Sequence, residues 1–132
     1  MAHKIVFLEE DRDDWSLVRE TLEELNMDIP VQFFSSSTDL LEFLQTSPAP
    51  SLIMLDYNAV PDNGLEVLKQ LRPVNEWKDI PVVILSDSDE EFYRKECYRY
   101  GASSFIKKPD TVKDTRNKIE IFFKYWLDVA EV

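Results

Sequence analysis

A doubly wound α/β domain, with a five-stranded parallel sheet and five helices, is the fold class this sequence predicts. Short runs of branched and aromatic apolar residues recur along the chain, and longer stretches of helical periodicity separate them. Such runs read as strands buried on both faces, and the stretches between them as crossover helices. Polar residues of distinct chemistry follow these runs. They are Glu9-Glu10 after Ile5-Val6-Phe7-Leu8, Asp56 after Leu52-Ile53-Met54-Leu55, Ser86 after Val82-Val83-Ile84-Leu85, and Lys108 shortly after Phe105-Ile106.

The first strand, Ile5 to Leu8, is followed by a helical pattern from about Asp13 to Met27, where Trp15, Val18, Leu22 and Leu25 fall at three- and four-residue spacing. Pro30 stops it. Val31-Gln32-Phe33-Phe34 forms a second strand, and Ser37 or Thr38 is expected to cap a helix carrying Leu40, Leu41, Phe43 and Leu44. Pro48 and Pro50 break the chain before the third strand. After Asp56 an irregular loop runs to Gly64, and Leu65, Val67, Leu68 and Leu71 mark a helix that ends by Pro73. The fourth strand ends at Ser86, and a helix spans about Asp89 to Tyr100 until Gly101 terminates it. The fifth strand leads through Lys108-Pro109 into a long final helix. Right-handed crossovers then cover both sheet faces.

In a parallel sheet of this kind the carboxyl ends of the strands share one edge. Glu9, Glu10, Asp56, Ser86 and Lys108 therefore converge there. Crowded carboxylates repel, which raises their proton affinity or recruits a divalent cation, and an all-oxygen set suits Mg²⁺ better than a soft metal. A lysine and a hydroxyl facing them fit an oxyanion that joins the metal. The natural ligand is a phosphoryl group.

At 132 residues with 44% hydrophobic content, the chain is expected to form one domain over 1–132, with no effector domain. Apolar runs are far shorter than the roughly twenty residues a bilayer requires, and the N-terminus has no signal-like apolar stretch, so the expected location is the cytoplasm, without a membrane partner. A formal charge of −11 with scattered cations argues against nucleic-acid binding. The single cysteine, Cys97, excludes an internal disulfide and reads as a partly buried helix residue.

The residues placed so far resemble a response regulator receiver domain of two-component signalling, whose fold type is shared with flavodoxin. The resemblance runs from Lys4 to about Leu127. It rests on the acidic pair after strand one, the aspartate after strand three, the hydroxyl after strand four and the Lys-Pro after strand five, with Gly64 and Gly101 at positions where the family favours glycine. It implies that Asp56 is the phosphoacceptor, taking its phosphoryl group from a histidine kinase or a phosphotransfer protein. Glu10 matches the metal-ligand position beside Asp56, Glu9 its neighbour acting through water, and Asn58 the residue whose backbone carbonyl completes the Mg²⁺ site. Ser86 and Lys108 match the groups that hold the phosphoryl oxygens. The resemblance also implies a cis Lys108-Pro109 bond and a switch in which Ser86 is coupled to an inward-turning Phe105. Such a domain is not an enzyme in the ordinary sense: it takes part in its own phosphorylation and dephosphorylation. Cys97-Tyr98 before Gly101-Ala102, followed by Phe123-Lys124-Tyr125-Trp126-Leu127, is similar to stand-alone receivers that partner phytochrome-type histidine kinases.

Departures from the family pattern fall around the same pocket. Glu10 stands where aspartate is usual, which moves its carboxylate out by one methylene, and Asp11 follows it. The usual proline after the acceptor is shifted by one place to Pro61, and Asp87 adds negative charge beside Ser86. These features keep a second reading open, a non-phosphorylated pseudo-receiver acting as an interaction module. A Mg²⁺-dependent phosphatase of the haloacid-dehalogenase type normally has a second aspartate two residues after the first, where this chain has Asn58. Aromatic residues concentrate in the last third of the chain. Ile119, Phe122 and Trp126 share one face of the final helix, which leaves Phe123 and Tyr125 expected on an output surface. That surface, formed by the fourth helix, fifth strand and fifth helix, is expected to bind a downstream protein or a second copy.

Overall fold

The computed structural model describes residues 4–109 and 111–129. The strands are β1 (Ile5–Leu8), β2 (Val31–Phe34), β3 (Leu52–Asp56), β4 (Val82–Ser86) and β5 (Ser104–Lys107). The helices are α1 (Arg12–Glu24), α2 (Ser37–Thr46), α3 (Gly64–Leu71), α4 (Glu91–Arg99) and α5 (Val112–Phe123), the last continued by a π-helical segment over Lys124–Val129. All strand pairs are parallel, in the order β2-β1-β3-β4-β5. The order reverses between β1 and β3, so the crevice at their carboxyl ends is the topological switch point where such sheets bind ligands.

Every residue of β1 and β3 is buried, which is why their sequences are continuous apolar runs and not alternating ones. Side-chain alternation splits them between two cores. Ile5, Phe7, Leu52 and Met54 pack with Val18 and Leu22 of α1 and Phe123 of α5. Val6, Leu8, Ile53 and Leu55 pack on the opposite face with Leu40, Leu44, Val67, Leu68, Leu71 and Cys97 from α2, α3 and α4. Burial pushes the Cys97 thiol up to about 11, so it acts as a small apolar group.

Several boundaries differ from the sequence expectation. α1 stops at Glu24, short of Met27, because Asn26 turns left-handed (φ 56°). The Met27 and Asn26 amides then bond the carbonyls of Leu22 and Glu23, each at 3.0 Å, in a Schellman cap. The cap of α2 is Ser36, whose hydroxyl accepts the Asp39 amide at 3.1 Å, and not Ser37 or Thr38. Ser37 is fully buried and its hydroxyl accepts the Asp62 amide at 2.9 Å, holding the β3–α3 loop against α2. Among the described residues the cis peptide bond lies at Val60–Pro61, and the expected cis bond at Lys108–Pro109 is absent.

Phe123 is the clearest correction. It is 1% exposed in the α1-side core and forms no part of an output surface, whereas Tyr125 is 53% exposed as expected. An α-helix advances about 100° per residue, so Phe123 lies only about 40° around the helix from Ile119. It therefore belongs to the same buried stripe. Among the described residues of α5 the exposed large apolar one is Ile121, at 68%.

Arg72, at the end of α3, joins elements that periodicity cannot connect. Its guanidinium donates to the carbonyls of Gly101 (2.6 Å), Lys78 (3.1 Å) and Ile80 (2.9 Å), pinning the α4–β5 turn to the segment before β4. Gly101 sits at φ +101°, and a Cβ there would approach Arg72 Nε to 2.8 Å. Arg72→Met keeps the aliphatic stem and removes every donor. It is expected to lower stability by about 2–3 kcal/mol, seen as a lower urea midpoint with an unchanged slope.

Candidate functional site

β3 delivers Asp56 to the sheet edge with 5% of its surface exposed, and β1 delivers Glu9 with 2%. Lys108, just beyond β5, donates from Nζ to Glu9 Oε2 at 2.7 Å and to Asp56 Oδ2 at 3.3 Å. The remaining carboxylate oxygens take backbone amides: Asn58 N–H donates to Asp56 Oδ1 at 3.0 Å, and Asp11 N–H to Glu9 Oε1 at 3.2 Å. Two buried carboxylates thus share one ammonium. Desolvation raises the Glu9 pKa to about 7, with the nearby Asp56 charge adding to it and the Lys108 hydrogen bond opposing it. Lys108 is desolvated too, which acts to lower its pKa, but its bond to Glu9 and the two carboxylate charges push it up to about 12 and keep it protonated.

The loops around this core are fixed by close backbone contacts. The Gly64 amide donates to the Tyr57 carbonyl at 3.1 Å, and a Cβ on Gly64 would come within 2.9 Å of the Asp56 carbonyl oxygen. Only glycine lets α3 start this near Asp56. Ser86 is 1% exposed and its hydroxyl accepts the Ser88 amide at 3.1 Å, which leaves the hydroxyl hydrogen available to an oxyanion. The Lys108 amide bonds the Ser86 carbonyl at 2.7 Å, tying β4 to β5 at the same edge. Asn58 turns its side-chain amide toward Asp87 (3.4 Å), so Asp87 has a partner of its own.

Of the residues expected to converge, Glu9, Asp56 and Lys108 are in direct contact, with Ser86 and Asn58 beside them. Glu10 is exposed and lines the same cleft, about 640 Å³ in volume, together with Asp11, Asp14 and Asp87. Phe105 is partly buried against the α2–α4 face, and its amide donates to the Tyr98 hydroxyl at 3.0 Å. Among the described residues no three acidic, histidine or cysteine side chains already form a metal cage. The donors nevertheless suit a hard divalent cation: they are oxygens, they are acidic, and the open cleft admits the waters such an ion retains.

Two site residues escaped the sequence reading. Asp11, expected either to substitute for Glu10 or to add charge to the pocket, has a capping role outside that expectation: its carboxylate accepts the Asp13 amide at 2.9 Å at the start of α1, as an Asp before a helical run could have signalled. Trp15, assigned only to the core stripe, donates its indole N–H to the Glu9 carbonyl at 2.6 Å. Nothing in local spacing marks that bond.

A twisted parallel sheet with an acidic switch point and a lysine bridging two of its strand ends defines a class of signalling domain. The chain belongs to the response regulator receiver domain family, whose model matches residues 5–120. It is 28% identical to "Response regulator Rcp1" of Synechocystis sp. (strain ATCC 27184 / PCC 6803 / Kazusa), over 96% of this chain and 90% of that protein. The Mn(2+)-bound form of response regulator Rcp1 superposes with a TM-score of 0.92 at 27% identity, covering 98% of each chain. The phosphorylated cyanobacterial phytochrome response regulator RcpA also gives 0.92, at 25% identity, over 99% of this chain and 98% of its own.

The raised Glu9 pKa has a definite sign. Because the folded state holds this proton more tightly than the unfolded chain, the associated stability is complete below the ordinary value of 4.5 and is lost as pH rises through about 7. Glu9→Gln should remove that loss in the metal-free protein. Urea unfolding in EDTA is expected to show the variant about 1–3 kcal/mol more stable than wild type at pH 8 and nearly equal at pH 4.

Proposed function

We propose that this receiver domain accepts a phosphoryl group on Asp56 in a Mg²⁺-assisted reaction and signals through protein contacts. The observation that carries this reading is the Asp56 carboxylate itself, buried at the switch point with Lys108 Nζ at 3.3 Å from one oxygen and the Asn58 amide at 3.0 Å from the other. A carboxylate oxygen attacks phosphorus as the P–N bond to a donor phosphohistidine breaks, and the imidazole leaves with that electron pair. Bound Mg²⁺ would neutralise charge on the transferring oxygens, held by Asp56, Glu10 and the Asn58 carbonyl, with Glu9 acting through water. Lys108 supplies a fixed positive charge to the same oxygens. The Ser86 hydroxyl donates to one of them.

Similarity to a phytochrome response regulator makes a phytochrome-type histidine kinase in the cytoplasm the first donor to test, with a phosphotransfer protein as the other class. The net charge of −11 favours a protein over a nucleic acid as the downstream partner. For output we assign the α4–β5–α5 face, with Ser86 and Phe105 as the switch pair. Phe92, Tyr98, Tyr100, Ile121 and Tyr125 give that side of the chain unusual exposed apolar area. A direct contact favours the route: Tyr57, next to the acceptor, packs in a tilted arrangement on Tyr93 of α4 at 5.0 Å, and Tyr93 meets the exposed Phe92 at 6.0 Å. The exposed position of Glu10 favours the second reading, a pseudo-receiver that binds partners without phosphorylation.

Acetyl phosphate with Mg²⁺ is expected to add one phosphoryl mass to the wild type and none to Asp56→Asn. Lys108→Met should slow the reaction roughly a hundredfold. Unmodified wild-type protein, still folded, would favour the pseudo-receiver. On the output face, Tyr125→Glu and Ile121→Glu should weaken self-association or partner binding measured by sedimentation, with little change in stability. Phe123→Glu, placing a charge in the core, should instead cost more than about 3 kcal/mol in folding.

A further inference from the structure

We infer that Trp15 is a positioning residue for the acidic turn after β1: its indole N–H fixes the peptide plane between Glu9 and Glu10 and thereby aims the Glu10 carboxylate. The indole nitrogen donates to the Glu9 carbonyl oxygen at 2.6 Å. That carbonyl belongs to the same planar unit as the Glu10 nitrogen, so holding the oxygen holds the whole plane. Among the described residues Glu10 is exposed with no side-chain hydrogen bond, so what fixes the direction of its Cα–Cβ bond, and with it the region its carboxylate can reach, is its backbone.

The ring that holds the carbonyl is itself held. Trp15 stacks on Phe33 of β2 at 5.1 Å with planes 20° apart, and Phe33 stacks on Phe7 of β1 at 5.5 Å. The Arg12 guanidinium lies 4.9 Å from the Trp15 ring centre, and that of Arg19 lies 4.9 Å from Phe33. Glu9 is meanwhile fixed on its other side by its own amide, which donates to the Phe34 carbonyl at 2.9 Å. The turn is therefore gripped from β2 through the amide of Glu9 and from α1 through its carbonyl. Filling the apolar stripe of α1 requires only a large ring. The N–H aimed at the acidic turn adds a function that a phenylalanine would lack.

The inference rests on the reading of Glu10 as a metal ligand, and the test separates the two. Trp15→Phe keeps the stack on Phe33 and the contact with Arg12 while deleting the donor. Calorimetric titration of the folded proteins with Mg²⁺ should give a Kd roughly three- to tenfold weaker for Trp15→Phe than for wild type, the loss expected for one hydrogen bond. Glu10→Gln should weaken binding further. A second measurement needs no variant: in the wild type the assigned Trp15 indole N–H resonance should shift with Mg²⁺ on the same isotherm as the Glu10 amide, while the Trp77 indole stays in place. A packing role alone would lower the melting temperature of Trp15→Phe without moving Kd or the indole resonance. An unchanged Kd in Trp15→Phe, or a stationary Trp15 indole, with Glu10→Gln still impaired, overturns the inference and leaves the ligand reading intact. Wild-type affinity in Glu10→Gln overturns both.

Discussion

The contact that organises this domain is the ammonium of Lys108 set between Glu9 and Asp56. β5 stands three places from β1 in the sheet, a separation of roughly 14 Å at the usual strand spacing. Only two long side chains lying along the carboxyl edge can close that gap, which explains glutamate at the end of β1 and lysine after β5. Asp56, on the intervening β3, can be short. The bridge makes the edge a single electrostatic unit. It also requires that β1, β3 and β5 keep their register, since Glu9, Asp56 and Lys108 each emerge from a different strand end.

The unit is unbalanced. Two buried carboxylates against one ammonium leave a net negative charge in a region of low dielectric, and burial alone makes such a charge expensive. The rise of the Glu9 pKa to about 7 expresses that imbalance. A site that stabilised both carboxylates fully would hold its resting state too well to welcome a cation or a phosphoryl group. Strain at the edge is compatible with folding because the two apolar cores beneath it are continuous and almost wholly buried. Stability and reactivity are thus assigned to different layers of the same sheet.

Much of this was legible in the sequence because it is written in short-range patterns. Apolar runs such as Leu52 to Leu55 reveal buried strands, and the polar residue closing each run reveals the edge, since the strand direction fixes which end it occupies. The errors fell where position around a helix or a distant backbone partner decides. An inner face defined by Ile119, Phe122 and Trp126 leaves Phe123 outside it by spacing, yet Phe123 lies one turn from Ile119 and is the fully buried member of that stripe. Ser36, Ser37 and Thr38 are all competent caps, and the choice among them depends on Ser37 being drawn to the Asp62 amide, a partner remote in sequence. Arg72 and Trp15 act on backbone carbonyls, which every residue has, so no residue type at the receiving end announces the bond.

Under the proposed function, a change at Asp56 would travel toward α4. A signal needs elements with alternative packings, and the α1 side offers few, being sealed around Phe7, Val18, Leu22 and Phe123. The α4 side is lighter: among the described residues of that helix Cys97 is the buried one, and its N-cap residue, Glu90, makes no side-chain cap. Its specific ties include Tyr57 on Tyr93, Tyr98 on the Phe105 amide, Lys69 of α3 over Tyr100, and Arg72 on Gly101. Tyr57 and Phe105 belong to segments that end at the acidic edge, so on that reading a displacement there would reach α4 from both neighbours. Arg72 anchors the far end of the helix. Under the proposed function, a lightly packed helix held at one end and touched by segments of the acidic edge would act as a lever, and its exposed residue Phe92 lies at the end away from the anchor.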